Sequence, residues 1–214
     1  MRGVRHDPAI VSPRWEAAVR QAGSRYARTM LTVDLGIAAL LAWLGFERIF
    51  RVPGIAASWR GDSRDRASTW LLIGAFGVAA LVPVALSGLA IGSIGDGAWA
   101  GVALAGLGLV VRAWAMRTLG SAYTRTLRTD TGQTLVMVGP YRWVRHPGYA
   151  GSIGVWVGAS LAFHNWLAAL IVAGLMFLAY AWRIDAEERV LRDAFGEAYA
   201  AYAARTARLI PGVY

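Results

Sequence analysis

Cysteine is missing from this chain of 214 residues. Disulfides and thiolate metal sites are therefore excluded, and the redox compartment is left open. Lysine is missing too: all 22 basic residues are arginine. Charge is scarce, at 16% of residues against about 25% in soluble domains. Three histidines with no helical pair offer no metal site. There is no GxSxG elbow, no Walker loop and no dinucleotide fingerprint, and the run "GLGLV" lies in an apolar stretch, not in a strand-to-helix turn.

Apolar sequence fills the space. Hydrophobic residues make up 57% of the chain and the mean hydropathy is +0.43. These values predict an all-α integral membrane protein built as one compact bundle. The net charge of +9 comes from arginines that flank apolar runs and form no stripe, so anionic lipid headgroups are the expected partner and nucleic acid is not. Arginine without lysine, in an Ala/Gly-rich chain, suggests a GC-rich bacterium and hence its inner membrane. No signal peptide is expected, because the first apolar run starts near Met30 and lacks a cleavage pattern.

A span needs about 20 apolar residues. Five are expected, over 30–50, 69–92, 97–119, 148–164 and 166–183. Residues 13–30, "PRWEAAVRQAGSRYARTM", read as a helix lying on the membrane surface. The connections at "SIGDG" and "FHNW" are short, the second implying a tight helical hairpin, while residues 120–147 form one long polar connector. After the fifth span the helical pattern continues as an amphipathic tail with no breaker before Gly196. Gly101, Ala105 and Gly108 share one face of the third span, and Gly151, Gly154 and Gly158 one face of the fourth; small residues there let helices approach closely in lipid. The chain divides into residues 1–95, a polar tail plus two membrane helices, and residues 96–214, the chemical core.

About 16 arginines fall on the side of the connector and C-terminus and about six on the other, which places the connector side in the cytoplasm. The six-arginine N-terminal segment opposes this assignment. The span centres are almost free of charge. Asp34 is read as interfacial, and His164 with Asn165 as caps of the hairpin turn.

Two polar clusters share the connector side. In "GPYRWVRHPGYAG" (139–151), the residue before a proline leaves the α region and proline favours the first helical position. His146 is thus expected at the N-cap, with Pro147 opening the fourth span. That end presents free amides and a positive dipole to an anion, with Arg142 and Arg145 nearby. Residue chemistry leaves two readings open, an anion site or arginines resting on lipid phosphate. In the tail, Ile184, Glu188, Leu191 and Phe195 form one stripe with Glu187 beside it. Acidic residues just below a span need a partner or a ligand, and Arg192 four residues from Glu188 offers the plain alternative.

The succession "WAMRTLG", "LVMVGPYRWVRHPGYAG", "EERVL", "FGEAYAAYAAR", "IP" resembles the isoprenylcysteine carboxyl methyltransferase family, over roughly residues 97–214. The resemblance implies a membrane-embedded methyltransferase that uses S-adenosylmethionine and releases S-adenosylhomocysteine, with a lipophilic acceptor entering from the bilayer. By the same resemblance Tyr141, Arg145, His146, Pro147 and Tyr149 form the cofactor-binding segment. Glu187 and Glu188 form the acidic pair beside it, Tyr199 and Tyr202 are the tail tyrosines, and Arg205 faces the reacting groups, with Glu188 as the other catalytic residue. It implies carboxyl O-methylation of a prenylcysteine-like or other lipophilic carboxylate. The alternatives are N-methylation of a phospholipid amine, S-methylation of a small thiol, and a non-enzymatic membrane accessory protein.

Overall fold

The computed structural model describes residues 13–50, 63–89, 91–120 and 135–214. The polar residues 1–12, the first loop over 51–62 and the connector stretch 121–134 lie outside the described residues. The regular elements are helices: α1 (Pro13–Phe50), α2 (Ser63–Ser87), α3 (Ala98–Leu119), α4 (Pro147–Ala162) and α5 (Trp166–Ala203), with short 3-10 turns at Gly95–Gly97 and Gly139–Arg142. Among the described residues only two isolated bridges interrupt the helical plan. α1, α2, α3 and α5 are long and apolar enough to cross a membrane. The protein is an all-helical integral membrane protein.

α4 departs from the expected five spans. Its 16 residues cover about 24 Å at 1.5 Å per residue, less than the roughly 30 Å hydrocarbon core. Pro147 fixes its start and the turn at Phe163–Asn165 its end. α4 lies inside the bundle, packed on α3, α5 and α1.

The small-residue seam forms as expected. A Cβ on Gly108 would meet Gly151 O and Val155 N at 2.6 Å, and one on Gly158 would strike Ala105 N and lie 2.6 Å from Gly101 O. α3 and α4 therefore touch backbone to backbone. At one end Asn165 caps α5 by accepting from Ala168 N at 2.9 Å, and its Nδ2 donates to Leu86 O and Ile91 O at 3.0 Å each. His164, with φ of +62°, approaches Thr32 Oγ1 at 2.7 Å. Asp34, two residues along α1, is exposed at this same level.

The surface-lying N-terminal helix is not observed. α1 is a single helix of 38 residues, continuous with the first span. The reason is local: nothing between Arg14 and Arg48 stops a helix, since neither Gly23, Gly36 nor Gly45 takes a positive φ. α1 and α2 join the rest through aromatic residues. Trp43 packs on Phe76 and Trp156 with ring centroids 4.9 and 5.5 Å apart, and Phe76 stacks on Trp156 at 5.3 Å. Tyr180 links this cluster to Tyr149, 4.7 Å away, and so to the opposite end of the bundle.

Candidate active site

That opposite end gathers the C-terminus of α3, the start of α4, the polar part of α5 and the chain terminus. Gly139 opens the 3-10 turn with φ of +59°, and a Cβ there would lie 2.8 Å from Thr118 Oγ1. Glycine is thus required both for conformation and for space. Pro140 and Tyr141 are buried in the turn. The chain then runs extended to His146, which is the N-cap of α4 with Pro147 at its first position, as the sequence predicts.

The C-terminal segment docks against this extended stretch. Gly196, with φ of +48°, kinks α5 and redirects its last turn. Residues 206–208 then lie beside 143–146 in a parallel bridge. Arg145 N donates to Ala207 O at 2.8 Å, His146 N to Arg208 O at 3.0 Å, and Ala207 N to Trp143 O at 3.0 Å. Tyr202 fastens the start of the connector, its hydroxyl donating to Tyr141 O at 2.7 Å.

Glu188 sits at the centre, 1% exposed. It receives Arg145 Nε at 2.9 Å, Arg192 Nη2 at 2.9 Å and Arg208 Nη2 at 3.1 Å. Arg145 also donates to Ala203 O at 2.8 Å and to Thr206 O. α5 is far longer than a membrane requires, and its charged part begins at Arg183, so Glu188 lies beyond the spanning stretch. Burial alone would raise its pKa. The contacts from His146, Arg145 and Arg208 outweigh that and hold the carboxyl well below the usual range. Glu187, more open than Glu188, accepts from Arg183 Nε at 2.9 Å and from the Tyr149 hydroxyl.

His146 bridges the two acids, with Nδ1 3.7 Å from Glu187 and Nε2 3.5 Å from Glu188. Its ring stacks on Tyr149 at 5.7 Å. His146 Nε2 and the Tyr199 hydroxyl are buried and make no hydrogen bond of normal geometry. Both atoms face Glu188 only through long contacts, which leaves them able to take a closer partner beside the carboxylate and the stacked rings. Next to this polar corner is an apolar groove of about 520 Å³, walled by Val111, Trp114, Trp143, Val144, Pro147 and Leu209.

The structure thus brings together Tyr141, Arg145, His146, Pro147, Tyr149, Glu187, Glu188, Tyr199 and Tyr202. Arg205 stands apart from the carboxylates: it is exposed, with Nη2 3.3 Å from Met137 Sδ. Arg142 is also exposed and covers the Trp143 ring at 4.7 Å.

Sequence reasoning missed a buried charge inside the bundle. Arg112, inside the third expected span, is 4% exposed and pairs with Glu47 of α1. An arginine inside an apolar run, five residues before the terminal Arg117, was the available signal. Arg183 and Arg208 were missed as partners of the acidic pair. The spacing from Arg183 to Glu187 carried a signal; for Arg208 there was none.

The part of the chain that carries this corner is similar to known proteins. The sequence profile of the isoprenylcysteine carboxyl methyltransferase (ICMT) family matches residues 101–193. This segment, which runs from α3 into α5, is similar to that family. Protein-S-isoprenylcysteine O-methyltransferase B of Arabidopsis thaliana is 34% identical over 110 residues, covering 50% of this chain and 55% of that protein. The Saccharomyces cerevisiae protein-S-isoprenylcysteine O-methyltransferase is 32% identical over 98 residues, 45% of this chain and 41% of that one. The chain spans about half the length of the curated relatives it matches. Among solved structures, the eukaryotic intramembrane Ras methyltransferase ICMT superposes with a TM-score of 0.56 at 25% identity, over 64% of this chain and 52% of the other. The match begins in α3, so α1 and α2 lie before the family segment.

Proposed function

We propose that this protein is an S-adenosylmethionine-dependent methyltransferase acting on a lipophilic acceptor, with carboxyl O-methylation as its reaction. The supporting observation is one polar corner, built from the connector, α5 and the tail within the ICMT family segment, that sits directly beside an apolar groove. A ligand with a charged head and a lipophilic body fits that pair of surfaces.

The cofactor, when bound, supplies a methyl group on a positively charged sulfur. The residues present suit it. Glu187 is open enough to take an ammonium or a hydroxyl. His146 and Tyr199 have buried polar atoms to offer. The stacked rings of His146, Tyr149 and Tyr180 give the corner an aromatic wall, a surrounding that suits an adenine or a sulfonium. Arg145 and Glu188 are already paired, so they act by holding tail and connector together as the walls of the pocket, with Tyr141, Pro147 and Tyr202 shaping the same wall. Arg205 stands free on the surface to orient an acceptor carboxylate, for which a guanidinium is a natural bidentate partner. A carboxylate is ionised at neutral pH and needs no general base, so the chain's work is positioning and exclusion of water. We place the site and C-terminus on the cytoplasmic face of a bacterial inner membrane, on the arginine distribution.

Calorimetry of the intact protein with S-adenosylhomocysteine tests this. Binding should be seen and should be lost in His146→Ala and Glu188→Ala. Absence of binding to the wild-type protein overturns the reading. Incubation with labelled cofactor and a panel of prenylcysteine, lipid amine and thiol acceptors then identifies the nucleophile.

A further inference from the structure

The family segment begins in α3, yet α1 sends one acid into it. Arg112 of α3 is buried in the bundle and ion-paired with Glu47, three residues before the end of α1. Its Nη1 donates to Gly148 O at 2.8 Å and to Ser152 Oγ at 2.5 Å. Ser152 Oγ in turn donates to Gly148 O at 3.1 Å and accepts Trp43 Nε1 of α1 at 3.0 Å. The Trp43 ring lies 5.6 Å from the guanidinium carbon. Gly148 is the second residue of α4, two beyond His146. Its carbonyl belongs to the turn in which Tyr149 N and Ala150 N both close on His146 O at 3.1 Å.

We propose that Glu47 is a positioning residue for the cofactor pocket, acting through Arg112 on the first turn of α4. Among the described residues Glu47 is the only acid paired with Arg112. A buried arginine stripped of its counter-charge is costly and seeks other acceptors. With Glu47 in place, one face of the guanidinium is satisfied and Nη1 stays on Gly148 and Ser152. Without it, Arg112 shifts, the first turn of α4 loosens, and His146 and Tyr149 lose their fixed place. The first two helices are then part of the working unit and not merely a membrane anchor. This inference rests on the methyltransferase reading for its ligand but not for its geometry.

The test compares Glu47→Gln, Glu47→Asp and, as a packing control, Gly36→Ala. Gly36 touches α4 at its far end, where a Cβ would lie 2.9 Å from that of Ala162. Two quantities are read on the full-length protein in detergent: S-adenosylhomocysteine affinity by calorimetry, and hydrogen exchange at the amides of residues 149 and 150. Glu47→Gln should weaken affinity about tenfold and speed exchange at those amides by a similar factor, the loss of one charged contact in a buried network. Glu47→Asp keeps the charge and should recover most of both. Gly36→Ala should lower the thermal midpoint while leaving affinity and local exchange unchanged. Wild-type affinity and exchange in Glu47→Gln overturn the proposal, as do losses that merely track the thermal midpoint across all three variants. If the wild-type protein binds no S-adenosylhomocysteine, the methyltransferase reading fails instead, and exchange at 149 and 150 alone decides the role of Glu47.

Discussion

The seam between α3 and α4 and the polar corner beyond it are built on opposite principles. At the seam, two backbones touch across Gly101, Gly108, Gly151 and Gly158, and charge enters only at one end, where Arg112 reaches Gly148 and Ser152. At the corner, Glu187 and Glu188 are gripped by four arginines, three of them on Glu188. The seam derives its strength from the absence of side chains, so it depends on volume and hardly at all on solution conditions. The corner derives its strength from ionised groups, so it depends on protonation and on every partner being present. A membrane protein of this design separates a rigid scaffold from a polar corner held by charge.

The largest expected effect comes from breaking the seam. Leucine at Gly158 would have to occupy the space of Ala105 N and Gly101 O, both backbone atoms that cannot rotate away. α3 and α4 must then part, at a cost of about 3 kcal/mol or more. Gly158→Leu should fail to elute as a single species in size-exclusion chromatography, or should melt far below wild type. Gly77→Ala is the counterpart: nothing lies within 4 Å of its Cβ position, so the thermal midpoint should hold or rise slightly. Equal losses in both variants would remove the distinction between a tight seam and ordinary helix surface.

A middle-sized effect belongs to the corner and carries the signature the seam lacks. Glu188 has a folded-state pKa held below its unfolded value of roughly 4.3. A depressed carboxylate contributes stability that is fully present above the unfolded value and is lost as pH falls through the folded one. Glu188→Gln leaves Arg145, Arg192 and Arg208 without their shared anion, and a buried charge network broken on one side loses about 3 kcal/mol. The gap in thermal midpoint between wild type and Glu188→Gln should stay constant from pH 7 to pH 5 and narrow below about pH 4. A gap that does not change with pH would show that the carboxylate matters for its shape and not for its charge.

Legibility in the sequence followed the same divide. The seam was visible because small residues recur at helical spacing within single runs. The N-cap at His146 and the kink at Gly196 were visible because proline and glycine punctuate locally. The pairing of Arg145 with Glu188 across 43 positions was not visible. From sequence, Arg145 reads as a free cation for a carboxylate ligand, whereas in the structure its guanidinium is taken up by Glu188 and by two tail carbonyls. Arg112 and Glu47 are 65 positions apart, and hydropathy placed one in a span and the other at a span end with nothing to join them. Local pattern reports which face a residue occupies. It does not report which long side chain crosses the bundle to meet it.

The smallest expected effect refines the corner by removing a tie that carries no charge. Tyr202 is buried, and its hydroxyl donates to Tyr141 O at 2.7 Å, joining the tail to the 3-10 turn of the connector. Tyr202→Phe keeps the ring, which packs on Tyr199 with centroids 6.1 Å apart, and deletes only the hydrogen bond. One neutral bond between buried groups contributes about 1 kcal/mol, and the loss leaves a carbonyl unsatisfied. The thermal midpoint should fall by a few degrees, and by the same amount at pH 7 and at pH 4, because nothing in this contact titrates in that interval. A drop as large as that of Glu188→Gln, or one that varies with pH, would mean that the tail docks as a single cooperative unit in which charged and neutral ties cannot be separated. An independent, pH-insensitive loss would mean that the arginine–glutamate cluster alone makes the corner respond to protonation.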